Sequence, residues 1–269
     1  MKEVVGEELV NSIIGTHATG EADIKKQKLQ INELRKRLRT IKSPQANILM
    51  QLADFLAEKS IWIIGGDGWA YDIGFSGLDH VLSTRENVNI FVLDTEVYSN
   101  TGGQKSKSTP LGASAKFSIN GKRTGKKDLA LQAIAHGKAY VAQIAMGAND
   151  VHTVKTIQEA EAFPGPSLII AYSHCIAHGY DMCHGNDQQK NAVNAGYWPL
   201  FRYNPLKEKG NRFTLDSKEP TIPLSEFMYH ENRFDLIKTK DPKLAELFLH
   251  EAEAGIKERL ERLNILKAL

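Results

Sequence analysis

The stretch Ile61-Trp62-Ile63-Ile64-Gly65-Gly66-Asp67-Gly68 decides the fold. Four apolar residues in a row read as a short strand, and the glycines that follow end it next to a carboxylate. Downstream, Val88–Leu93, Tyr140 to Met146 and Leu168–Tyr172 are further apolar strands. Helical patterns over 69–84, 127–138 and 150–162 lie between them. Apolar strands separated by amphipathic helices imply an α/β domain, a parallel sheet with helices on both faces. Such sheets bind ligands at the carboxyl ends of their strands.

The flanks divide the chain into three zones: a helical lead-in at 1–59, the α/β domain at 60–203 and a peripheral tail at 204–269. In the lead-in, Ile24, Ile31, Leu34, Leu38 and Ile41 form an apolar stripe on a charged helix. Ser43-Pro44 reads as an N-cap and a first-turn proline, opening a helix that buries Ile48, Leu49, Leu52, Phe55 and Leu56. The tail opens on the polar stretch Lys207–Arg212 and closes on a charged helix from about Pro242 to Leu266.

Composition narrows the classes. Thirty-four basic residues against 32 acidic ones leave a formal charge of +2, so nothing calls for a nucleic acid. No apolar run reaches about 18 residues, so no membrane span is expected. Met1–Val5 has no apolar region of the signal-peptide kind, and the expected location is the cytoplasm.

Gly65-Gly66-Asp67-Gly68, between a strand and a helix, lets backbone N–H groups approach a phosphate. The dinucleotide fingerprint fails, because the sixth position from Gly66 is Tyr71, and a P-loop is absent. A diphosphate site in which Asp67 ligates Mg²⁺ remains, since a carboxylate at a strand end suits a hard cation bridging phosphate oxygens. That reading demands more oxygen ligands at the end of the next strand. Thr95 stands there, 28 residues on, in Asp94-Thr95-Glu96-Val97-Tyr98-Ser99-Asn100-Thr101-Gly102-Gly103-Gln104.

Those two segments, with Gly121–Leu129, Phe163–Leu168 and Tyr197–Tyr203, resemble the pyruvate:ferredoxin (flavodoxin) oxidoreductase family over about residues 45 to 220. The resemblance implies a thiamine-diphosphate-binding fold. It implies Mg²⁺ held by the Asp67 carboxylate, the Thr95 hydroxyl and the Val97 carbonyl. It places Gly66, Asp67, Gly68, Trp69, Thr95, Val97 and Asn100 at the cofactor, with Asn100 beside the thiazolium and the oxoacid as the catalytic residue. The implied reaction is oxidative decarboxylation of pyruvate to acetyl-CoA, with electrons passing through iron–sulfur clusters to ferredoxin or flavodoxin. CoA is the second substrate, and the complete enzyme is a homodimer.

The chain has two cysteines, Cys175 and Cys183. By the resemblance, Cys175 is the fourth thiolate of a [4Fe-4S] cluster whose other three ligands lie upstream. No cysteine precedes Asp67, so that cluster needs ligands from other domains or subunits. The glutamate that activates the aminopyrimidine is likewise expected elsewhere, and the chain reads as part of an enzyme. Two alternatives stand beside this reading. One is an inactive remnant that binds cofactor without turnover. The other is a structural zinc protein using the Cys175–His184 segment, although the spacing there is not that of a zinc finger. The basic run Gln104–Pro110, with Lys122, Arg123, Lys126 and Lys127, reads as a solvated loop or as a dock for an acidic redox partner.

Overall fold

In a computed structural model the described residues are 2–16, 21–57 and 59–268. The outermost residues of the expected lead-in and tail, Met1 and Leu269, lie outside them. The chain forms two compact units, 1–60 and 61–269.

The first unit holds α1 (Lys2–Val5), α2 (Glu7–Gly15), α3 (Glu21–Leu38) and α4 (Pro44–Leu52). Its core is small: Val5, Ile13, Leu34, Leu38 and Ala46, with Leu49 packed against it. The Ser43 hydroxyl accepts the Ala46 N–H at 3.1 Å, the expected cap. The expected burial of the next helix is corrected here. Ile48, Leu52, Phe55 and Leu56 are exposed, Phe55 at 74%. A unit this small buries only the Ala46–Leu49 side of α4.

The second unit is built on a six-stranded sheet in the order β1-β2-β4-β3-β5-β6. β1 (Trp62–Gly66), β2 (Asn89–Asp94), β3 (Tyr140–Ile144) and β4 (Ser167–Tyr172) are parallel, as their apolar runs require. β5 (Phe201–Tyr203) and β6 (Phe213–Leu215) extend the sheet as an antiparallel hairpin. The polar stretch 207–212 is the hairpin's loop, so the sheet runs on past residue 204.

Successive strand residues point to opposite faces. Ile90, Val92, Val141, Leu168 and Ile170 face the larger core. They meet α5 (Phe75–Ser83), α6 (Leu129–Ala135), α8 (Gly185–Asn194) and α9 (Leu224–Tyr229) through Leu78, Leu82, Ala133, Ala192 and Phe227. The second face buries Tyr140, Ala142, Ile144 and Ile169 with Ala160 of α7 (Asp150–Glu161) and Phe163 just beyond it. That cover is partial: Ile64 on the edge strand β1 is 65% exposed. α10 (Asn232–Lys240) and α11 (Pro242–Leu266) complete the larger core through Phe234 and Leu263. Leu263 is fully buried, which is not how a surface appendage packs. Leu263→Ala should therefore lower stability by about 2–5 kcal/mol, read as a shifted urea midpoint; a change below about 0.5 kcal/mol would mean that α11 is not part of this core.

Candidate functional site

β1 and β2 pair so that Gly66 lies opposite Leu93. The next residues on each strand, Asp67 and Asp94-Thr95, therefore leave the sheet side by side. Asp67 is buried. Its Oδ1 lies 2.9 Å from Thr95 Oγ1, which lies 3.1 Å from the Val97 carbonyl oxygen. The three atoms that the sequence nominates as metal ligands thus converge. They are a carboxylate, a hydroxyl and a carbonyl, the hard oxygen donors that Mg²⁺ takes. Ser106 Oγ donates to Asp67 Oδ2 at 2.5 Å.

The chain around Asp67 allows close backbone approach. A π-helical segment, Gly68–Ile73, follows it directly. A Cβ at Gly68 would sit 2.5 Å from the Tyr98 ring, so only glycine fits there. The Trp69 indole occupies the space where side chains at Gly65 and Gly74 would lie. Beyond Val97 the chain turns: Tyr98 N–H donates to the Gln104 carbonyl and Gly103 N–H to the Tyr98 carbonyl, both at 2.9 Å. Gly102 and Gly103 take positive φ, 103° and 88°, to make that turn. Asn100 is exposed within it. Cys175, just past β4, is buried, and its Sγ lies 3.1 Å from Ser99 Oγ. The thiol is therefore one residue from Asn100 along the chain it touches.

Behind the three oxygens is a buried charge network that the sequence does not advertise. Asp94 accepts from Tyr71 Oη at 2.6 Å and Ser108 Oγ at 2.5 Å, and pairs with Lys126 at 2.8 Å. Glu96 pairs with Lys126 at 2.8 Å and with Arg233 of α10 at 2.7 Å. Arg233 also bonds Glu231 at 2.6 Å. His178 Nε2 lies 2.8 Å from the Thr95 carbonyl oxygen. The basic run is solvated only in part: Lys105, Lys107 and Arg123 are exposed, while residues between them turn inward. Ser106, Ser108, Thr109 and Lys122 are buried, and Lys122 donates to the Thr109 and Gly125 carbonyls at 2.5 and 3.1 Å. A small hydroxyl at every second position, Ser106 and Ser108, was the available signal. No local signal pointed to Arg233.

Charge and burial set the proton affinities. Burial, then the neighbouring Asp94 carboxylate, pushes Asp67 up to about 7, against Ser106, Thr95 and Lys126. Burial opposes ionisation of Glu96 too, but Lys126 and Arg233 outweigh it and hold the carboxyl at about 2. Burial, then Arg233, lowers His178 to about 4, so it is neutral at pH 7.

The cysteine–histidine segment is organised differently. Among the described residues no group of three or more His, Cys, Asp or Glu side chains is placed to hold a metal ion. Cys183 is exposed, Cys175 is buried, and both are free thiols. Nor is any helix among the described residues long and apolar enough to cross a membrane.

Residues 45–171 match the family described as thiamine pyrophosphate enzyme, C-terminal TPP binding domain. The chain is similar to the pyruvate-flavodoxin oxidoreductase of Trichormus variabilis, 51% identical over 98% of this chain and 23% of that protein. It is similar to the pyruvate:ferredoxin oxidoreductase of Moorella thermoacetica, 56% identical over 78% of this chain and 18% of that one. A probable pyruvate-flavodoxin oxidoreductase of Escherichia coli is 51% identical over 86% of this chain and 20% of its own length. The chain spans about a fifth of the length of the curated relatives it matches.

The Asp67 shift has a sign that can be tested. The folded carboxyl keeps its proton to about 7, whereas the unfolded one loses it near 3.8. The native state then binds more protons in that window, so this contribution to stability falls as pH rises from about 4 to 7. Metal-free Asp67→Asn should lose that slope and gain on the order of 1 kcal/mol at pH 7.5, measured by thermal melts across pH. A wild type whose stability does not fall over that range relative to the variant would mean that Asp67 is ionised in the folded chain.

Proposed function

We propose, from the match of residues 45–171 to the thiamine pyrophosphate enzyme C-terminal TPP binding domain, that this chain holds the diphosphate and metal end of thiamine diphosphate in a pyruvate oxidoreductase. The observation that carries the reading is that the Thr95 hydroxyl lies 2.9 Å from Asp67 Oδ1 and 3.1 Å from the Val97 carbonyl oxygen. Asp67, Thr95 and Val97 would hold Mg²⁺, which neutralises the diphosphate. The backbone N–H groups of Gly66, Gly68 and Trp69, at and just beyond the end of β1, would face the phosphates.

When bound, thiamine diphosphate supplies the carbanion stabilisation and the electron sink. This chain's residues supply position and charge. Asn100, exposed on the turn that follows Val97, would hydrogen-bond the oxoacid next to the thiazolium. Cys175, against Ser99 on that same turn, would give one thiolate to a [4Fe-4S] cluster close to the cofactor; the other three come from outside residues 1–269. The names of the relatives support pyruvate as the oxoacid and ferredoxin or flavodoxin as the acceptor. The overall change is pyruvate plus CoA to acetyl-CoA, CO₂ and one proton, with two electrons leaving singly through the clusters. We propose that the chain works in the cytoplasm with the remaining domains or subunits of that enzyme, as a homodimer when complete.

Calorimetric titration of the chain with thiamine diphosphate tests this. Binding should require Mg²⁺, be lost in Asp67→Asn and weaken about 10- to 100-fold in Thr95→Val. Binding that is unchanged by EDTA, or by both substitutions, would remove the metal–diphosphate role from these residues.

A further inference from the structure

Residue 96 stands between two of the proposed metal ligands. Its φ is 60°, left-handed backbone that non-glycine residues rarely adopt. Such a conformation persists only where the surroundings over-determine it. Here every polar atom of the residue is engaged. Glu96 N–H donates to Asp94 Oδ1 at 3.1 Å, and its carbonyl accepts from Thr109 Oγ1 at 2.5 Å. Its Oε1 accepts from Lys126 Nζ at 2.8 Å and Tyr197 Oη at 2.7 Å. Its Oε2 accepts from Arg233 Nη2 at 2.7 Å and Tyr197 Oη at 2.9 Å. The side chain and that of Arg233 are fully buried.

The left-handed turn at Glu96 has a geometric consequence. It folds the chain so that the Val97 carbonyl comes back within 3.1 Å of the Thr95 hydroxyl. Extended backbone there would carry Val97 onward and away. The bonds that keep the turn come from distant elements: Lys126 before α6, Tyr197 after α8 and Arg233 on α10. Arg233 is locked in its own right, by Glu231 at 2.6 Å and by its carbonyl, which accepts from Ser114 N–H at 2.7 Å.

We propose that Glu96, clamped by Arg233 with Lys126 and Tyr197, is the positioning residue that aims the Thr95 hydroxyl and the Val97 carbonyl at one cation with Asp67. It touches neither metal nor substrate. This rests on the reading of Asp67, Thr95 and Val97 as ligands. It gives the residues after 204 a part in cofactor binding, since they supply Arg233.

The test is a titration of the full chain with Mn²⁺ in the presence of thiamine diphosphate, with free Mn²⁺ counted by electron paramagnetic resonance at 10 °C. Glu96→Ala and Arg233→Met should weaken Mn²⁺ binding by about 10- to 100-fold. Glu96→Gln, which keeps the shape and some hydrogen bonds, should lie between them and wild type. Phe213→Leu, a remote core change in β6 that also lowers the melting temperature, should bind like wild type. A folded Glu96→Ala or Arg233→Met with wild-type Mn²⁺ affinity overturns the proposal, since a purely structural network would lower only the melting temperature. If neither variant folds, Tyr197→Phe carries the test, because it removes one hydroxyl. It should weaken Mn²⁺ binding several-fold, and unchanged affinity overturns the proposal. A wild type that binds no Mn²⁺ would retire the cofactor reading instead. The loop geometry is then read by hydrogen exchange: the Tyr98 amide should exchange about tenfold faster in Tyr197→Phe than in wild type, and equal rates overturn the positioning role.

Discussion

The parallel register that sets Gly66 opposite Leu93 is the constraint on which the site depends. A one-residue slip would turn the apolar side chains of β1 to the wrong face, and it would carry Asp67 away from Thr95. Because β2 also pairs with β4 residue for residue, from Asn89↔Ser167 to Asp94↔Tyr172, the same register brings Ser173 to Cys175 out beside the loop that starts at Thr95. The strand ends thus gather Asp67, Thr95 and Cys175 from three segments without any of them being near in sequence. Loops at the carboxyl ends are where such a fold can vary its chemistry while the sheet stays fixed.

The cost of this arrangement lies in buried charge. Asp94, Glu96 and Glu231 share two cations, Lys126 and Arg233. Asp67 stands next to Asp94 with only hydroxyl donors on its oxygens, and burial raises its proton affinity. A cation among these oxygens would complete the balance, which is the physical case for a metal here. Glu96 lies at the other extreme, held ionised against its burial by two cationic partners. One carboxylate is thus left receptive while its neighbour is committed to holding the loop.

The strands were legible because a parallel sheet writes itself as short apolar runs, and the meeting of Asp67 with Thr95 because adjacent parallel strands bring their ends together. Ser43-Pro44 and Pro242 were legible because caps and first-turn prolines are local. The β5–β6 hairpin was not: three-residue strands are too short to show a period, and Lys207–Arg212 looks like any polar linker. The exposure of Ile48 and Phe55 was hidden because hydrophobicity states what should be covered, not what covers it. Lys122 and Lys126 read as solvent-facing, yet their ammonium groups satisfy buried carbonyls and carboxylates. Arg233 lies 137 residues from Glu96, and no spacing rule links them.

The central claim is that Asp67, Thr95 and Val97 hold one divalent cation on the diphosphate. Anomalous diffraction from crystals grown with Mn²⁺ and thiamine diphosphate reads this most directly. The account predicts a manganese peak about 2.1–2.3 Å from Asp67 Oδ1, Thr95 Oγ1 and the Val97 carbonyl oxygen, with diphosphate oxygens completing its shell. A peak at His174, Cys175 or Cys183 with none at Asp67, or diphosphate density elsewhere on the sheet, would contradict it.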